Sequence, residues 1–116
     1  MTERRKFLRF ETALDALCEV VKEKCKVSYK VKNISNHGAL VLADKKLDEG
    51  EELNISMDVP GDNMPIFAAC SVAWQDRSND SGTYQTGLRF TKMGNSDRGR
   101  LLEYIYTHWL KVLDRK

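Results

Sequence analysis

Apolar and polar side chains alternate with period two over most of this chain. From Cys25 to Asn33, Cys25, Val27, Tyr29 and Val31 face one way, and Lys26, Ser28, Lys30 and Lys32 face the other. A lysine-bearing outer face opposite an apolar one predicts a half-buried antiparallel strand. Glu51 to Val59 repeats the pattern, with Leu53, Ile55, Met57 and Val59 against Glu52, Asn54, Ser56 and Asp58. Gly38 to Ala43 is a short apolar run, followed by a charged turn over Asp44 to Gly50. Pro60 to Pro65 contains Pro-Gly-Asp-Asn, a strong break. Ile66 to Gln75 predicts a long, mostly buried strand ending at Trp74, and Asp76 to Thr83 a polar loop. Tyr84, Thr86, Leu88 and Phe90 alternate again.

Thr12 to Val21 is ambiguous. Leu14, Ala16, Cys18 and Val20 suit a strand, whereas Leu14, Leu17 and Val21 suit a helix. The C-terminus changes period: Leu101, Ile105, His108 and Val112 recur at helical spacing, with Leu102 and Trp109 beside them. Asn95 or Ser96 is placed to cap this helix, Asp97 suits its positive end, and Lys111, Arg115 and Lys116 suit the other. Trp109 and His108 are read as core residues of the helix. Five or six antiparallel strands followed by one helix predict a small β-barrel with a helical lid over a mouth or an open edge.

A chain of 116 residues is one domain's worth. Its longest apolar stretches, such as Ala39 to Ala43 and Ile66 to Cys70, are too short to cross a bilayer as a helix, and no apolar signal segment follows the charged N-terminus. A soluble, cytoplasmic protein without membrane insertion is expected. Cys18, Cys25 and Cys70 are odd in number, irregularly spaced and without CxxC. They fit neither a disulfide framework nor a zinc site, and are read as small buried hydrophobes in a reducing compartment.

Charge divides unevenly. Residues 1–9 carry +3, residues 10–91 carry −4 and residues 92–116 carry +3, for the overall +2. A protein that coats DNA or RNA is basic over its body. Here the body is acidic and the positive charge sits in a short arm, which favours a compact anion over a long polyanion, so no nucleic-acid partner is expected. With no HExxH, GxSxG or P-loop, and carboxylates confined to turns and outer strand faces, the chain is not expected to be an enzyme.

Two features carry candidate chemistry. The arm reads Arg4-Arg5-Lys6-Phe7-Leu8-Arg9, and guanidinium forks match phosphate oxygens and stack on flat π-systems. Asn33-Ile34-Ser35-Asn36-His37-Gly38 follows the lysine-faced strand. Asn and Ser at i and i+2 in a strand face one side, and Gly38 permits either a positive φ or a close approach to a ligand.

RxxxR (Arg5, Arg9) followed by [D/N]xSxxG (Asn33, Ser35, Gly38) resembles the PilZ domain family. The resemblance spans the whole chain, including Val72-Ala73-Trp74, Gly87-Leu88-Arg89-Phe90 and the terminal helix. It implies a mostly β fold: a six-stranded antiparallel barrel with a C-terminal α-helix, in which Thr12 to Val21 is the first strand. Residues 1–116 then form a single domain, with a flexible RxxxR arm over 1–10, the barrel over 11–92 and the helix over 95–114.

The family binds the bacterial second messenger cyclic di-GMP, so this ligand is implied and no further cofactor. Carried over, Arg5 and Arg9 hold phosphates and guanine faces, Asn33 and Ser35 hydrogen-bond a guanine edge, and Gly38 lets the loop close. Asn33 stands where the family accepts Asp or Asn, and its amide accepts without the charge that strengthens such a bond. Arg4 is an extra fork, expected to let two stacked ligand molecules bind. Trp74 is either a stacking platform for a guanine or a core residue, and His37 is a loop histidine without an assigned role. The resemblance also implies a downstream protein partner in a flagellar, pilus, secretion or exopolysaccharide system, hence motility or biofilm control. Some members with this fold are protein-interaction modules that do not use the nucleotide.

Overall fold

The computed structural model describes residues 10–59, 63–77 and 82–114, with side chains over 14–59, 63–77 and 82–107. Six strands, β1 (Phe10–Val20), β2 (Cys25–Ile34), β3 (Gly38–Ala43), β4 (Glu52–Met57), β5 (Ile66–Arg77) and β6 (Tyr84–Lys92), precede one helix, α1 (Asn95–Asp114). They close into an antiparallel barrel in the order β1-β2-β3-β6-β5-β4. The ambiguous stretch is a strand because it has two partners: Leu17 pairs with Ser28 of β2 and Ser56 of β4, so both edges of β1 find hydrogen bonds that an isolated helix would not supply. Phe10, expected at the end of the arm, is already in β1 and pairs with Ile34.

Alternate side chains fill the interior, among them Leu14, Ala16, Cys18 and Val20 from β1, Val31 and Ile34 from β2, and Leu53, Ile55 and Met57 from β4. β4 pairs with β1 and β5, so the chain leaving β3 must cross one end of the barrel to reach it. Leu47, on that crossing, is buried as a plug. The crossing segment's own polar groups are paired by Gln75: its Oε1 accepts from Leu47 N at 2.8 Å, and its Nε2 donates to Lys45 O at 3.1 Å and to Thr86 Oγ1 at 2.9 Å. A buried plug is tolerable here because its own amide and the Lys45 carbonyl are paired.

At the start of α1 the capping expectation is corrected. Arg98 N donates to Gly94 O at 2.9 Å, which makes Gly94 the N-cap and puts Asn95 and Ser96 inside the first turn. Asp97 stands in that turn and pairs with Arg100 at 3.1 Å. Leu101 and Ile105 bury against the barrel, where α1 packs on β5 and β1. Leu102, expected beside them, is exposed instead, because it lies 100° around the helix from Leu101. His108, Trp109 and Val112 lie outside the described side chains.

The cysteines separate into two environments. Cys18 and Cys70 are buried, and burial pushes each thiol up to about 12, Cys18 adding to the effect on Cys70. Cys25 is exposed, contrary to its expected place in the core, because it opens β2 at the rim beside a hairpin turn rather than within the barrel. In that turn Lys24 has φ 57°, and both Glu23 N and Lys24 N donate to Val20 O.

Two tests follow from this geometry. Replacing Lys24 with Gly relieves a left-handed conformation that a side chain resists, and should raise unfolding stability by about 0.5–1 kcal/mol in urea titration; no gain would mean that the turn is unstrained. Thiol labelling of the native protein at pH 8 should modify Cys25 alone. Cys18 and Cys70 should react only on unfolding, and because their folded values are raised, the stability they contribute is complete below the ordinary thiol value of 9.0 and is lost as pH climbs towards 12.

Candidate functional site

One wall of the barrel is shaped by two irregularities in strand register. In β5, Val72 pairs with Leu88 but Trp74 pairs with Gly87, so Ala73 is an extra residue. Up to that point Ile66, Ala68, Cys70 and Val72 alternate inward. The extra residue inverts the order: Gln75 turns in to meet Thr86, and Trp74, which strict alternation would bury, turns out. In β2, Val31 pairs with Val41 but Asn33 with Leu40, leaving Lys32 as the extra residue. Ile34 is thereby buried and Asn33 moves to the outer side, half-buried.

The register then places Asn33, Leu40, Gly87 and Trp74 in one outward row across β2, β3, β6 and β5. Three strand spacings separate its ends, roughly 14 Å along the wall at ~4.8 Å each. A second row, two residues along, holds Gly38, Arg89 and Ser71. Arg89 is exposed and makes no ion pair with a described residue.

The two glycines make the floor of this surface low. A Cβ at Gly87 would meet Trp74 Nε1 at 2.3 Å and Cε2 at 2.5 Å, so the indole lies directly over that residue. A Cβ at Gly38 would meet Leu88 O at 2.1 Å. Gly38 has no positive φ. Its glycine is required by the close passage of β6 rather than by a left-handed backbone conformation.

Ser35, Asn36 and His37 close the β2–β3 connection beside this floor. Ser35 lies beyond the last residue of β2, so the i, i+2 alternation with Asn33 does not extend to it. It is 3 % exposed. Its hydroxyl accepts from His37 N at 3.2 Å and approaches Gly38 O at 3.4 Å, while its amide donates to Gly38 O at 2.9 Å. His37 O accepts from Phe90 N at 2.8 Å, and the imidazole is exposed. From α1, Arg98 Nη1 donates to Asn36 O at 2.8 Å.

Ser35, His37, Gly38, Trp74, Gly87 and Arg89 border a cleft of 220 Å³, with Ala39, Ala73 and Leu88 completing it. Three of the sequence-predicted residues, Ser35, Gly38 and Trp74, therefore meet in one place. Asn33 stands at the far end of the same row and outside the cleft lining. Arg4, Arg5 and Arg9 lie outside the described residues. The sequence reading assigned no role to Gly87 or Arg89, and none to His37. The signal available was a glycine in the middle of the alternating strand Tyr84 to Phe90, which marks a close approach by something else.

A PilZ domain model matches residues 3–107. The chain belongs to the PilZ domain family. Its fold also matches solved PilZ proteins. Bacillus subtilis MotI/DgrA, an inhibitor of motility, superposes with TM-score 0.80 at 20% identity, over 95% of this chain and 53% of that one. The PilZ domain of Escherichia coli YcgR with c-di-GMP gives 0.70 at 13%, over 97% of both chains. The K. pneumonia MrkH–c-di-GMP complex gives 0.78 at 18%, over 99% of this chain and 57% of that one. The present chain thus spans about half the length of the Bacillus and Klebsiella proteins. No curated protein matches it. Among the described residues, no helix is long and apolar enough to cross a membrane.

The glycines of this PilZ wall respond differently to a methyl group. Gly38→Ala would drive a Cβ into the backbone of β6 and should cost about 2–3 kcal/mol in chemical denaturation. Gly87→Ala meets only a surface side chain, and should cost less than ~1 kcal/mol while increasing iodide quenching of tryptophan emission as Trp74 is displaced. Equal stability losses in the two variants would show that Trp74 is not free to swing away.

Proposed function

We propose that this PilZ domain is a receptor for cyclic di-GMP, a binding module rather than an enzyme, which orders its N-terminal arm over the barrel and signals to a partner protein. The observation that carries the reading is Trp74, an indole turned out of the core across a glycine and bordering the same cleft as Arg89, which makes no ion pair with a described residue. An exposed aromatic face near a cation suits a purine attached to a phosphate. A cyclic dinucleotide supplies two of each. The E. coli PilZ domain with c-di-GMP, which matches this chain end to end in fold, supports the same ligand.

The cleft alone is below the ~300–1,000 Å³ of typical small-molecule sites. It accommodates part of a dinucleotide, and the remainder needs further groups. Arg4, Arg5 and Arg9 are the natural source: Arg9 is bonded to Phe10, and Phe10 pairs with Ile34, the residue before Ser35. Ordering about eight arm residues costs on the order of 8–16 kcal/mol if the free arm has no fixed conformation. Charge-assisted hydrogen bonds return ~1.5–3 kcal/mol each. Two or three arginines are insufficient, so burial of Phe7 and Leu8 against the barrel and stacking on Trp74 complete the balance. On this reading Asn33, at the opposite end of the Trp74 row, meets a guanine edge, and Arg4 allows two ligands to stack. A cytoplasmic setting suits an intracellular messenger and three free thiols.

Isothermal titration with cyclic di-GMP tests the reading. Saturable binding should weaken about ten- to a hundred-fold in Arg9→Ala, the loss of one charge-assisted contact. Two ligands per chain are expected, and a stoichiometry of one removes the role given to Arg4. Absence of heat from the wild type overturns the receptor assignment in favour of a PilZ-fold protein-interaction module.

A further inference from the structure

The β2–β3 connection spans three residues, Ser35 to His37, none with a positive φ. It is held from outside its own backbone, by the Ser35 hydroxyl, by Phe90 N on the His37 carbonyl, and by Arg98 on the Asn36 carbonyl. The first two bonds lie within the barrel. The third comes from α1, 62 residues further along the chain.

Leu101 and Ile105 are the only fully buried side chains of α1 among the described residues. Two arginines fasten its first turns to opposite loops: Arg98 to Asn36 in the β2–β3 connection, and Arg100 to Met64 O and, at 3.2 Å, Pro65 O in the β4–β5 connection. Asn36 is flanked by Ser35 and His37, which both border the cleft. The Arg98 bond is therefore one residue from the ligand surface at one end and part of the helix at the other.

We infer that Arg98 is a positioning residue: by holding the Asn36 carbonyl from α1 it sets Ser35 and His37 against the cleft, and so couples occupancy of the cleft to the placement of α1. The second half rests on the cyclic di-GMP reading; the first does not. Such coupling is reciprocal, so whatever fixes α1 also tightens the loop for ligand, and ligand in turn steadies α1. A guanidinium suits this role, since its charge strengthens a hydrogen bond to a neutral carbonyl and its fork reaches across without losing the donor direction.

Amide hydrogen exchange on the full chain, with and without cyclic di-GMP, separates the two halves. In the free protein, Arg98→Ala should speed exchange at His37 and Phe90 by about tenfold, the value of one charge-assisted bond. Arg98→Lys should restore part of the protection. Arg100→Ala loosens α1 from its other side and should leave His37 unchanged. With ligand, Leu101 to Ile105 should exchange more slowly in the wild type, whereas Arg98→Ala should bind more weakly and show no slowing there. Wild-type exchange at His37 in Arg98→Ala, or the same acceleration in Arg100→Ala, overturns the positioning role. A wild type that binds the nucleotide with α1 exchange unaltered overturns the coupling. Loop release by Arg98→Ala in a protein that binds no nucleotide supports the positioning role and overturns the ligand half with the receptor reading itself.

Discussion

One additional residue in β5, Ala73, decides what this barrel presents to solvent. Without it the alternation that buries Ile66, Ala68, Cys70 and Val72 would also bury Trp74 and expose Gln75. With it the two exchange places. Gln75 turns inward, where its amide satisfies Lys45 O, Leu47 N and Thr86 Oγ1 and holds the crossing segment over the end of the barrel. Trp74 turns outward across Gly87, and the cleft forms against it. Closure of the fold and creation of the site are thus two consequences of one bulge.

The remaining geometry follows from how closely strands pass at this wall. β6 comes so near β3 that position 38 has no space for a side chain, and Trp74 so covers position 87 that the same is true there. Missing side chains lower the surface between Asn33 and Trp74, and Arg89 supplies a charge beside it. The Ser35 hydroxyl and Arg98 then hold the adjacent loop through its amide and carbonyl groups. A PilZ barrel built in this way presents a low ledge between Asn33 and Trp74, bordered by the β2–β3 connection.

Much of this was legible before any coordinates. The period-two runs identify β2, β4 and β6, and the change to helical spacing identifies α1. RxxxR followed by NxSxxG points to the PilZ family, whereas the strand expected to end at Trp74 runs on to Arg77, because Gln75 to Arg77 pair with Thr86 to Tyr84. Thr12 to Val21 was not decidable locally, because Leu, Ala and Cys serve either conformation and only pairing with both β2 and β4 selects a strand. Cys25 reads as buried by parity but opens β2 at the rim, where parity no longer implies an interior. Leu102 reads as part of the buried helix face, yet it is exposed, one residue round the helix from Leu101.

The amino-acid pattern by itself determined the later strands, the terminal helix and where basic and acidic charge fall, since these depend on side-chain chemistry repeated at a fixed period, and it left the first strand open. It could not determine which way Asn33, Trp74 and Gln75 face. A bulge costs no recognisable residue type: Lys32 and Ala73 are unremarkable in sequence, and their neighbours β3 and β6 make them supernumerary. Nor could it reveal that Gly38 is fixed by a carbonyl on β6, that Arg89 stands beside the indole, or that Arg98 reaches back to Asn36 from the helix. Each of these is a contact between segments far apart in the chain, and only closing the barrel brings them together.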